Sequence, residues 1–337
     1  MQLLYVEEMR SRQNLLAFSG GVDSSALFFL LLESGIEFDM AMVDYGLRPE
    51  REREIAYARE LSARYDKRLF LHTAPKITTN FEHTARNVRY EFFAQVCKEH
   101  GYHNVMMAHQ LDDRLEWLLM QLCKGSGILG LGGLRGIAQW GGFRIIRPLI
   151  ERTREEIYAY LHAHKHRFFE DSSNANAHFT RNFFRHNVVR TLMPSFAKGV
   201  RQSFRILEQE SKGVLPRIQR ILPDVFVMRR TKQAWRDCYG VDYALKRLGY
   251  VMSTRQREEL AKSSFCCHIA QRYVVDSNAD FVFVAKTLGA ITMPKRYKEQ
   301  YRLAKIPPKI RPILFQNAIV DSELEGFIQR VASLLES

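Results

Sequence analysis

Short apolar runs alternate with helical patterns over the first 110 residues, and this alternation constrains the fold more than any other feature. The strand-like runs occupy residues 15–18, 39–44, 68–73 and 104–109. Such alternation predicts βαβ units, and hence a mostly parallel, doubly wound sheet covered by helices on both faces. Ligands of such sheets bind beyond the carboxyl ends of the strands. Ser19, Asp44 and His109 stand at three of these predicted ends.

The 337 residues are enough for about two domains. Helical patterns continue from Ile150 to about Glu210, and the character of the chain then changes. Basic helical patterns are expected up to about Lys262, followed by a hairpin over residues 268–286 and a last helix near Ser322–Leu335. We therefore predict an α/β domain over residues 1–205 and a smaller, basic α+β domain over residues 206–337.

Positive charge is concentrated in the second of these regions. The net charge is +13, and nearly all of it comes from residues 190–337, whereas residues 1–189 are almost neutral. A basic excess confined to one region is what neutralising a phosphate backbone requires. Nucleic acid is therefore favoured as a partner over an anionic lipid surface or a merely solubilising one.

Cysteine usage and hydropathy exclude several other classes of protein. The five cysteines are irregularly spaced and include no C-x-x-C pair, which argues against a disulfide framework and a zinc ribbon. The longest apolar run, Ala26–Leu32, is far too short to cross a bilayer. The amino-terminal residues do not resemble a signal peptide. We expect a cytoplasmic protein with no membrane partner.

The sequence SGGVDS, residues 19–24, joins the first predicted strand to a helix. Gly20 and Gly21 allow the backbone a positive φ and a close approach to an anion. The helix predicted from Asp23 adds unpaired N–H groups and its positive dipole end, and Ser19 and Ser24 add hydroxyl groups. The stretch therefore predicts a site for the phosphates of a nucleotide.

Asp23 is unexpected in an anion site, and a carboxylate beside phosphates indicates a bridging Mg²⁺. The structural alternative is a tight turn in which Asp23 merely favours the start of a helix. No G-x-x-x-x-G-K-[ST] sequence is present, and the G-x-G-x-x-G at residues 125–130 follows a helix, which excludes a dinucleotide fingerprint there. Residues 124–136 are expected to form a mobile loop.

A group of acidic residues follows the fourth predicted strand. Asp112 and Glu116 lie four residues apart on one face of a predicted helix, with Asp113 and His109 beside them. Such a group could orient a cationic amine and accept its proton. A solvated acidic first turn is the structural alternative.

Two arginines further along the chain share one face of another predicted helix. Arg181 and Arg185 could hold a phosphate or an RNA strand through their planar guanidinium groups. A solvated helix face would explain the same spacing.

Several spaced pieces of residues 14–190 together resemble the tRNA(Ile)-lysidine synthetase family of the N-type ATP pyrophosphatase (PP-loop) superfamily. These pieces are SGGVDS, GLR at 46–48, NFEHTARNVRYEFF at 80–93, AHQLDD..E at 108–116, RPL at 147–149, and EDSSN…TRNFFR at 170–185. They occur in the expected order. The region after residue 190 resembles the family only in length and basic character.

The resemblance implies an ATP-dependent ligase that joins free lysine to C2 of the wobble cytidine of the CAU-anticodon isoleucine tRNA. The cytidine would first be adenylated, and pyrophosphate and AMP would leave in turn. The implied ATP-binding residues are Ser19, Gly20, Gly21, Val22, Asp23, Ser24 and Arg86, with Asp23 on Mg²⁺. Asp112, Asp113 and Glu116 would bind lysine, and Arg181 and Arg185 would bind tRNA. Asp23, His109, Asp113 and Arg185 would be catalytic.

The chain departs from the family pattern at Gln110, where a second histidine is common, and at Tyr45, Arg114 and Trp117.

Other functions remain open from sequence alone: a tRNA thiolase, an amidotransferase-type synthetase, or a non-catalytic ATP-responsive RNA-binding protein. The absence of paired cysteines weighs against a thiolase. The length leaves no room for a glutaminase domain. A homodimer is compatible with the resemblance.

Overall fold

The computed structural model describes residues 1–46, 51–78, 81–140, 142–170, 180–214, 216–231, 233–289 and 291–317, together with Gly326, Phe327, Gln329 and Ser333. These residues form two compact units, Met1–Leu207 and Glu208–Ser337. Leu47 and Arg48 of the GLR piece, Asn80, residues 171–179 and most of the helix expected near Ser322–Leu335 lie outside the described residues.

Six strands form the sheet of the first unit: β1 (Asn14–Ala17), β2 (Asp39–Asp44), β3 (Leu69–Thr73), β4 (Asn104–Met106), β5 (Ile137–Trp140) and β6 (Phe143–Ile146). Their order across the sheet is β3-β2-β1-β4-β6-β5. All neighbours are parallel except β5, which pairs antiparallel with β6. The prediction of a mostly parallel sheet is confirmed, and the β5–β6 hairpin was not predicted.

Nine helices accompany this sheet within the described residues: α1 (Val6–Arg10), α2 (Val22–Glu33), α3 (Arg51–Arg64), α4 (Phe81–His100), α5 (Leu111–Cys123), α6 (Ile128–Leu131), α7 (Arg154–Ala163), α8 (Thr180–Phe184) and α9 (Arg190–Val214). A π-helical turn, Arg185–Val189, joins α8 to α9. The helix α6 lies where the sequence predicted only a loop. Trp117 holds this stretch through a 2.9 Å hydrogen bond from its Nε1 to the Gly130 carbonyl.

Alternate residues of the central strands enter two separate apolar cores, one on each face of the sheet. Leu16 and Met106 belong to the core that contains α2. Their strand neighbours Leu15 and Val105 belong to the core that contains α4. Because successive side chains of a strand point to opposite faces, these apolar runs require cover on both sides. The doubly wound arrangement is therefore confirmed.

The chain order reverses at β1, which lies between β2 and β4 and is parallel to both. The chain segments that follow β1 and β4 lead away from each other at this point, so a crevice opens beyond the carboxyl end of β1. The segments that follow β1, β2 and β4 meet at this crevice, as the alternation of strands and helices predicted.

The second unit is built on a five-stranded antiparallel sheet in the order β7-β8-β11-β10-β9. Its strands are β7 (Ile218–Leu222), β8 (Val225–Arg229), β9 (Cys267–Ile269), β10 (Tyr273–Ser277) and β11 (Phe281–Lys286), and its helices are α10 (Ala234–Arg247), α11 (Thr254–Lys262), α12 (Lys295–Leu303) and α13 (Arg311–Gln316). The unit is α+β, and the hairpin expected over residues 268–286 is confirmed as β10–β11.

The expectation of continuous helical patterns up to Lys262 was wrong for residues 218–229, which form the β7–β8 hairpin. Basic residues at 217, 220, 229 and 230 suggested a helix, but Pro223 and Asp224 form the turn and Val225–Met228 is entirely buried. A buried apolar run next to a Pro-Asp turn is better suited to a central strand than to a helix with one polar face.

None of the described helices is both long enough and apolar enough to span a membrane.

Candidate active site

A cleft of about 400 Å³ opens at the carboxyl ends of β1, β2 and β4. The loop after β1, Tyr45 after β2, and His109 after β4 all contribute to its wall. Further contributions come from α4, α5, α7, α8 and the Phe169–Glu170 segment. The cleft therefore brings together most of the residues that the sequence marked as separate motifs.

The loop after β1 folds as an anion-binding turn. Gly20 has a φ of +78°, a conformation that side chains other than glycine rarely adopt. Gly21 is the residue before α2 and has no side chain with which to cap it, so the first amides of α2 are available to a ligand. The Ser24 hydroxyl accepts from the Ser19 amide at 3.2 Å and lies 3.0 Å from the Ser19 hydroxyl.

Asp23 lies in the first turn of α2 and faces the cleft. Its Oδ1 is buried and receives no hydrogen bond from the described residues. Burial, reinforced by the nearby Asp113 carboxylate, raises the pKa of Asp23 to about 7. A carboxylate with a buried, unpartnered oxygen beside helix amides is suited to a cation shared with phosphates.

The capping of α5 fixes Asp113 at the wall of the cleft. The Gln110 side chain accepts from the Asp112 amide at 2.7 Å, and the Gln110 amide donates to Asp113 Oδ2 at 3.0 Å. This reciprocal arrangement is a capping box, which ties down two amides at the start of the helix. Gln110, a departure from the family pattern, therefore has a structural role of its own.

Arg181 and Arg185 form a compact ion-pair network with Asp113 and Glu116. Arg181 donates to Asp113 Oδ1 at 2.6 Å and to Glu116 Oε2 at 2.8 Å. Arg185 donates to Glu116 Oε1 at 2.6 Å and to Oε2 at 3.1 Å. The Glu116 side chain is only 2% exposed, against 37% for Arg181. Each of the four carboxylate oxygens thus has a donor, and neither arginine presents an uncompensated charge.

The network keeps Asp113 ionised despite its burial. Loss of hydration raises the pKa of Asp113, but the positive charges of Arg181 and Arg185 outweigh it and bring the pKa below its usual value. The α5 carboxylates were predicted as a group, and the structure does bring Asp113 and Glu116 together. Asp112 lies apart from them, because its Oδ2 accepts from the Arg154 amide at 3.1 Å.

His109 is held as a neutral ring. Arg147 Nε donates to His109 Nδ1 at 3.2 Å, which leaves the ring proton on Nε2. Burial and the positive charge of Arg147 lower the pKa of His109 well below its usual value. Within the cleft, His109 therefore offers an N–H donor and carries no charge near neutral pH.

The lining of the cleft differs at some positions from the set of residues expected from the sequence. Arg86 stacks on the Tyr90 ring and donates to its hydroxyl at 3.0 Å, and the α4 arginine that lines the cleft is Arg89. Both lie on one helix three residues apart, so spacing alone could not choose between them. Arg154 and Phe169 also line the cleft and were missed. Arg154 comes from a segment without a recognisable motif, and Phe169 immediately precedes the EDSSN piece.

Asp112 gives the site a measurable pH signature. Burial raises the pKa of Asp112 to about 6, so the folded state binds a proton more tightly than the unfolded state, whose carboxyl titrates near 3.8. The associated stability is present at low pH and is lost as the pH rises from about 4 to 6. Asp112→Asn keeps an oxygen for the Arg154 amide, and we expect it to be more stable than the parent at pH 8, by on the order of 2 kcal/mol, with little difference at pH 4.

Thermal and denaturant unfolding at pH 4 and pH 8 measures this difference. Asp113→Asn is the matched control on the same helix turn, since the pKa of Asp113 is lowered. It should destabilise the protein at pH 8. The same sign for both variants at pH 8 would contradict the assignment.

The fold and the loop after β1 define a nucleotide-binding protein of the PP-loop type, and the comparisons agree. The family model described as the PP-loop domain matches residues 1–192. Curated proteins similar over most of their length are named tRNA(Ile)-lysidine synthase. The protein of Wolinella succinogenes is 43% identical, covering 95% of this chain and 98% of that protein. That of Helicobacter pylori (strain 26695) is 39% identical with 92% of each covered, and that of Campylobacter jejuni (serotype O:2) is 33% identical with 94% and 96% covered.

This chain therefore belongs to the tRNA(Ile)-lysidine synthase family. Among solved structures, a U34-tRNA thiolase of Methanococcus maripaludis, determined with its 4Fe–4S cluster, is similar with a TM-score of 0.50 and 17% identity, covering 60% of this chain and 76% of that one. That likeness concerns the fold alone. No cysteine lines the cleft in the part of the chain that is described.

Proposed function

We propose that this protein is an ATP-dependent ligase that joins free lysine to C2 of the wobble cytidine of the CAU-anticodon isoleucine tRNA. The names of relatives that match nearly the whole chain support this activity. The observation that carries it is a single cleft with a phosphate-binding turn on one wall and the buried Asp113 carboxylate on another, where Arg181 links Asp113 to Glu116 behind it. ATP chemistry and capture of an amine are thereby available within one site.

In the first step, ATP lies with its phosphates against the turn of residues 19–24. Cytidine O2 attacks the α-phosphorus, the bond to the β-phosphate oxygen breaks, and pyrophosphate leaves toward the amides of α2. Amides at a helix start stabilise that departing negative charge. Arg89 lines the same cleft and takes the phosphate-neutralising role first assigned to Arg86.

Mg²⁺ fits the donor set beside this turn. The buried Oδ1 of Asp23 is a hard oxygen ligand without a partner among the described residues. The described residues contain no group of three or more acidic, histidine or cysteine side chains able to hold a metal by themselves. One carboxylate plus substrate phosphates is a usual Mg²⁺ environment. The ion would supply charge neutralisation for the phosphates, with Asp23 as its protein ligand.

In the second step, the lysine ε-amine attacks C2 of the adenylated cytidine and AMP leaves. Free lysine carries an ammonium group with a pKa near 10.4, which must lose a proton to become a nucleophile. Asp113 and Glu116 hold and orient that ammonium group. That ammonium group first loses one proton to solvent, and its freed lone pair then attacks C2 as the C2–O bond to AMP breaks. The nitrogen of the new C–N bond is strongly acidic, and its extra proton passes to Asp113. The N–H of neutral His109 is available to the cytidine or to its adenylate.

Arg181 currently fills the place that this mechanism gives to the ammonium group, so lysine must displace it. Arg181 is the more exposed of the two arginines, and Arg185 keeps Glu116 neutralised when Arg181 leaves. The displaced guanidinium then faces the open cleft, where it and Arg185 can contact the RNA. Arg181→Gln removes the competing cation, and we expect its Kd for lysine to fall about threefold or more.

Calorimetric titration of the ATP-bound protein with lysine measures this change. Arg181→Lys, which restores a cation at the same place, should return the affinity toward the parent value. Weaker lysine binding by Arg181→Gln would show that Arg181 assists the amine instead of competing with it.

The tRNA also needs a binding surface outside the cleft, and the basic region after residue 205 is the proposed tRNA-binding region. A base in the anticodon loop is cheaper to swing out than one in a duplex. A reaction among tRNA, ATP and free lysine belongs in the cytoplasm, where we place the protein. The residues proposed for this reaction all belong to one chain, and the proposal is compatible with a homodimer.

Incubation with ATP, Mg²⁺ and labelled lysine tests the proposed function. We expect acid-stable label in unmodified transcripts of the CAU-anticodon isoleucine tRNA. We expect none in the methionine tRNA that shares this anticodon, and none with Asp113→Asn. Label in every tRNA, or in none, would refute the proposal. Sulfur incorporation without lysine would indicate a thiolase.

A further inference from the structure

Helix α10 of the second unit presents aromatic rings at four-residue intervals on its open face. Trp235, Tyr239 and Tyr243 follow one another along the helix, and Trp235 is 53% exposed. The rings of Trp235 and Tyr239 meet edge to face, 5.7 Å apart. The guanidinium of Arg247, one turn further, lies 5.5 Å from the centre of the Tyr243 ring. We call these four residues the aromatic ladder.

Cations outnumber carboxylates on the side of α10 that carries the aromatic rings. Arg236 and Lys246 lie on the same side of α10 as the aromatic ladder. Lys246 pairs with Asp242 at 2.8 Å, and Arg236 donates to the carbonyls of Gly213 and Val214. Both acidic residues of the helix are buried: Asp237 lies 3.6 Å from Arg230, and Asp242 lies 3.3 Å from Arg257. An ordinary solvated helix face would carry carboxylates among its cations. The open face of α10 instead combines the exposed ring of Trp235 and the half-buried rings of Tyr239 and Tyr243 with an excess of positive charge, because the buried Asp242 carboxylate is shared between Lys246 and Arg257.

We infer that the aromatic ladder binds unpaired nucleotides of an RNA, each ring stacking on a base while the neighbouring cations contact the phosphates. Four residues of helix advance about 6 Å, so successive rings can each carry one planar base. Aromatic rings with cations track single strands without regard to sequence, because every base has a flat face. Bases of a duplex are stacked internally and hidden from such a surface. The inference rests on the proposed function only in taking RNA as the partner.

Binding of the full-length protein to a 12-nucleotide single-stranded RNA and to a duplex of the same length tests the inference. We expect Trp235→Ala to weaken single-strand binding about fivefold or more, while duplex binding stays unchanged. Trp235→Phe keeps a flat ring and should retain most of the affinity. Leu303→Ala, which truncates a 70% exposed apolar side chain elsewhere in the second unit, is the matched control and should leave affinity unchanged.

Lysine labelling of the isoleucine tRNA separates this inference from the proposed function. With Trp235→Ala, we expect the KM for tRNA to rise and kcat at saturating tRNA to stay at the parent value. Failure of the parent protein to label tRNA, with the single-strand effect intact, refutes the proposed function alone. An unchanged affinity of Trp235→Ala for the single-stranded RNA overturns the inference. An effect of Trp235→Ala only on self-association, or only on binding of another protein, overturns it as well.

Discussion

Asp23→Asn is expected to lose ATP-dependent lysine labelling while becoming more stable than the parent above pH 7. The lost carboxylate removes the proposed ligand of the phosphate-bound cation, which should lower the rate by on the order of 10²–10³-fold. Stability moves the other way, because burial raises the pKa of Asp23 to about 7 and its ionised form is costly in the ligand-free protein. Relief of that cost should contribute on the order of 4 kcal/mol at pH 8.

The sign of the stability change follows from proton binding. The folded protein holds a proton on Asp23 between about pH 4 and 7 that the unfolded chain has lost, so stability falls as the pH rises through that range. Asp23→Asn removes this dependence. Pyrophosphate release and thermal unfolding at pH 5 and pH 8 measure the two effects.

Asp44→Asn is the matched control, since Asp44 is also buried at a strand end but pairs with Arg51 and accepts from the Gly46 amide. Its neutralisation should destabilise the protein. An Asp23→Asn protein that is less stable than the parent at pH 8 would contradict the picture of an uncompensated carboxylate.

Glu116→Gln is expected to cost about 3 kcal/mol of stability and to lower lysine labelling by on the order of 10²-fold. Its carboxylate is almost completely buried and neutralises both Arg181 and Arg185. An amide in its place leaves two cations without adequate compensation. The same change removes one of the two groups that hold the incoming ammonium.

A double variant separates the structural part from the functional part. Adding Arg181→Gln to Glu116→Gln removes one of the stranded cations, and more than about 1 kcal/mol of stability should return. Labelling should stay low, because Glu116 is still missing. Recovery of labelling together with stability would show that Glu116 acts only by holding the fold, and an unaffected Glu116→Gln protein would refute the role of the network.

The position of the site was predictable because it depends on topology. Apolar runs with both faces buried require a parallel sheet, and parallel strands direct their carboxyl ends to one edge. Ser19 and His109, 90 positions apart, therefore had to end near each other. The turn at Gly20 and Gly21 was predictable for a related reason, since a positive φ at a helix start restricts the choice of residue.

The partners of the charged residues were not predictable. Arg181 is 65 positions from Glu116, and nothing in the spacing of either helix indicates that the two meet. Considered alone, each group looked like a solvated helix face or a ligand site. Only the packing of α8 on α5 shows that these positive and negative charges neutralise each other. The β7–β8 hairpin was missed for another reason, because its basic residues obscured a short buried run.

The hydrogen bond from Arg147 to His109 affects how the low-pH side of a pH–rate profile for lysine labelling should be interpreted. An inflection near pH 6 is customarily assigned to an imidazole, yet this ring is held in one tautomer and resists a second proton. Two carboxyls have pKa values in or just above that range, because burial raises the pKa of Asp112 to about 6 and that of Asp23 to about 7. Replacement of His109 would then change the maximal rate of labelling and leave the pH of the inflection unchanged.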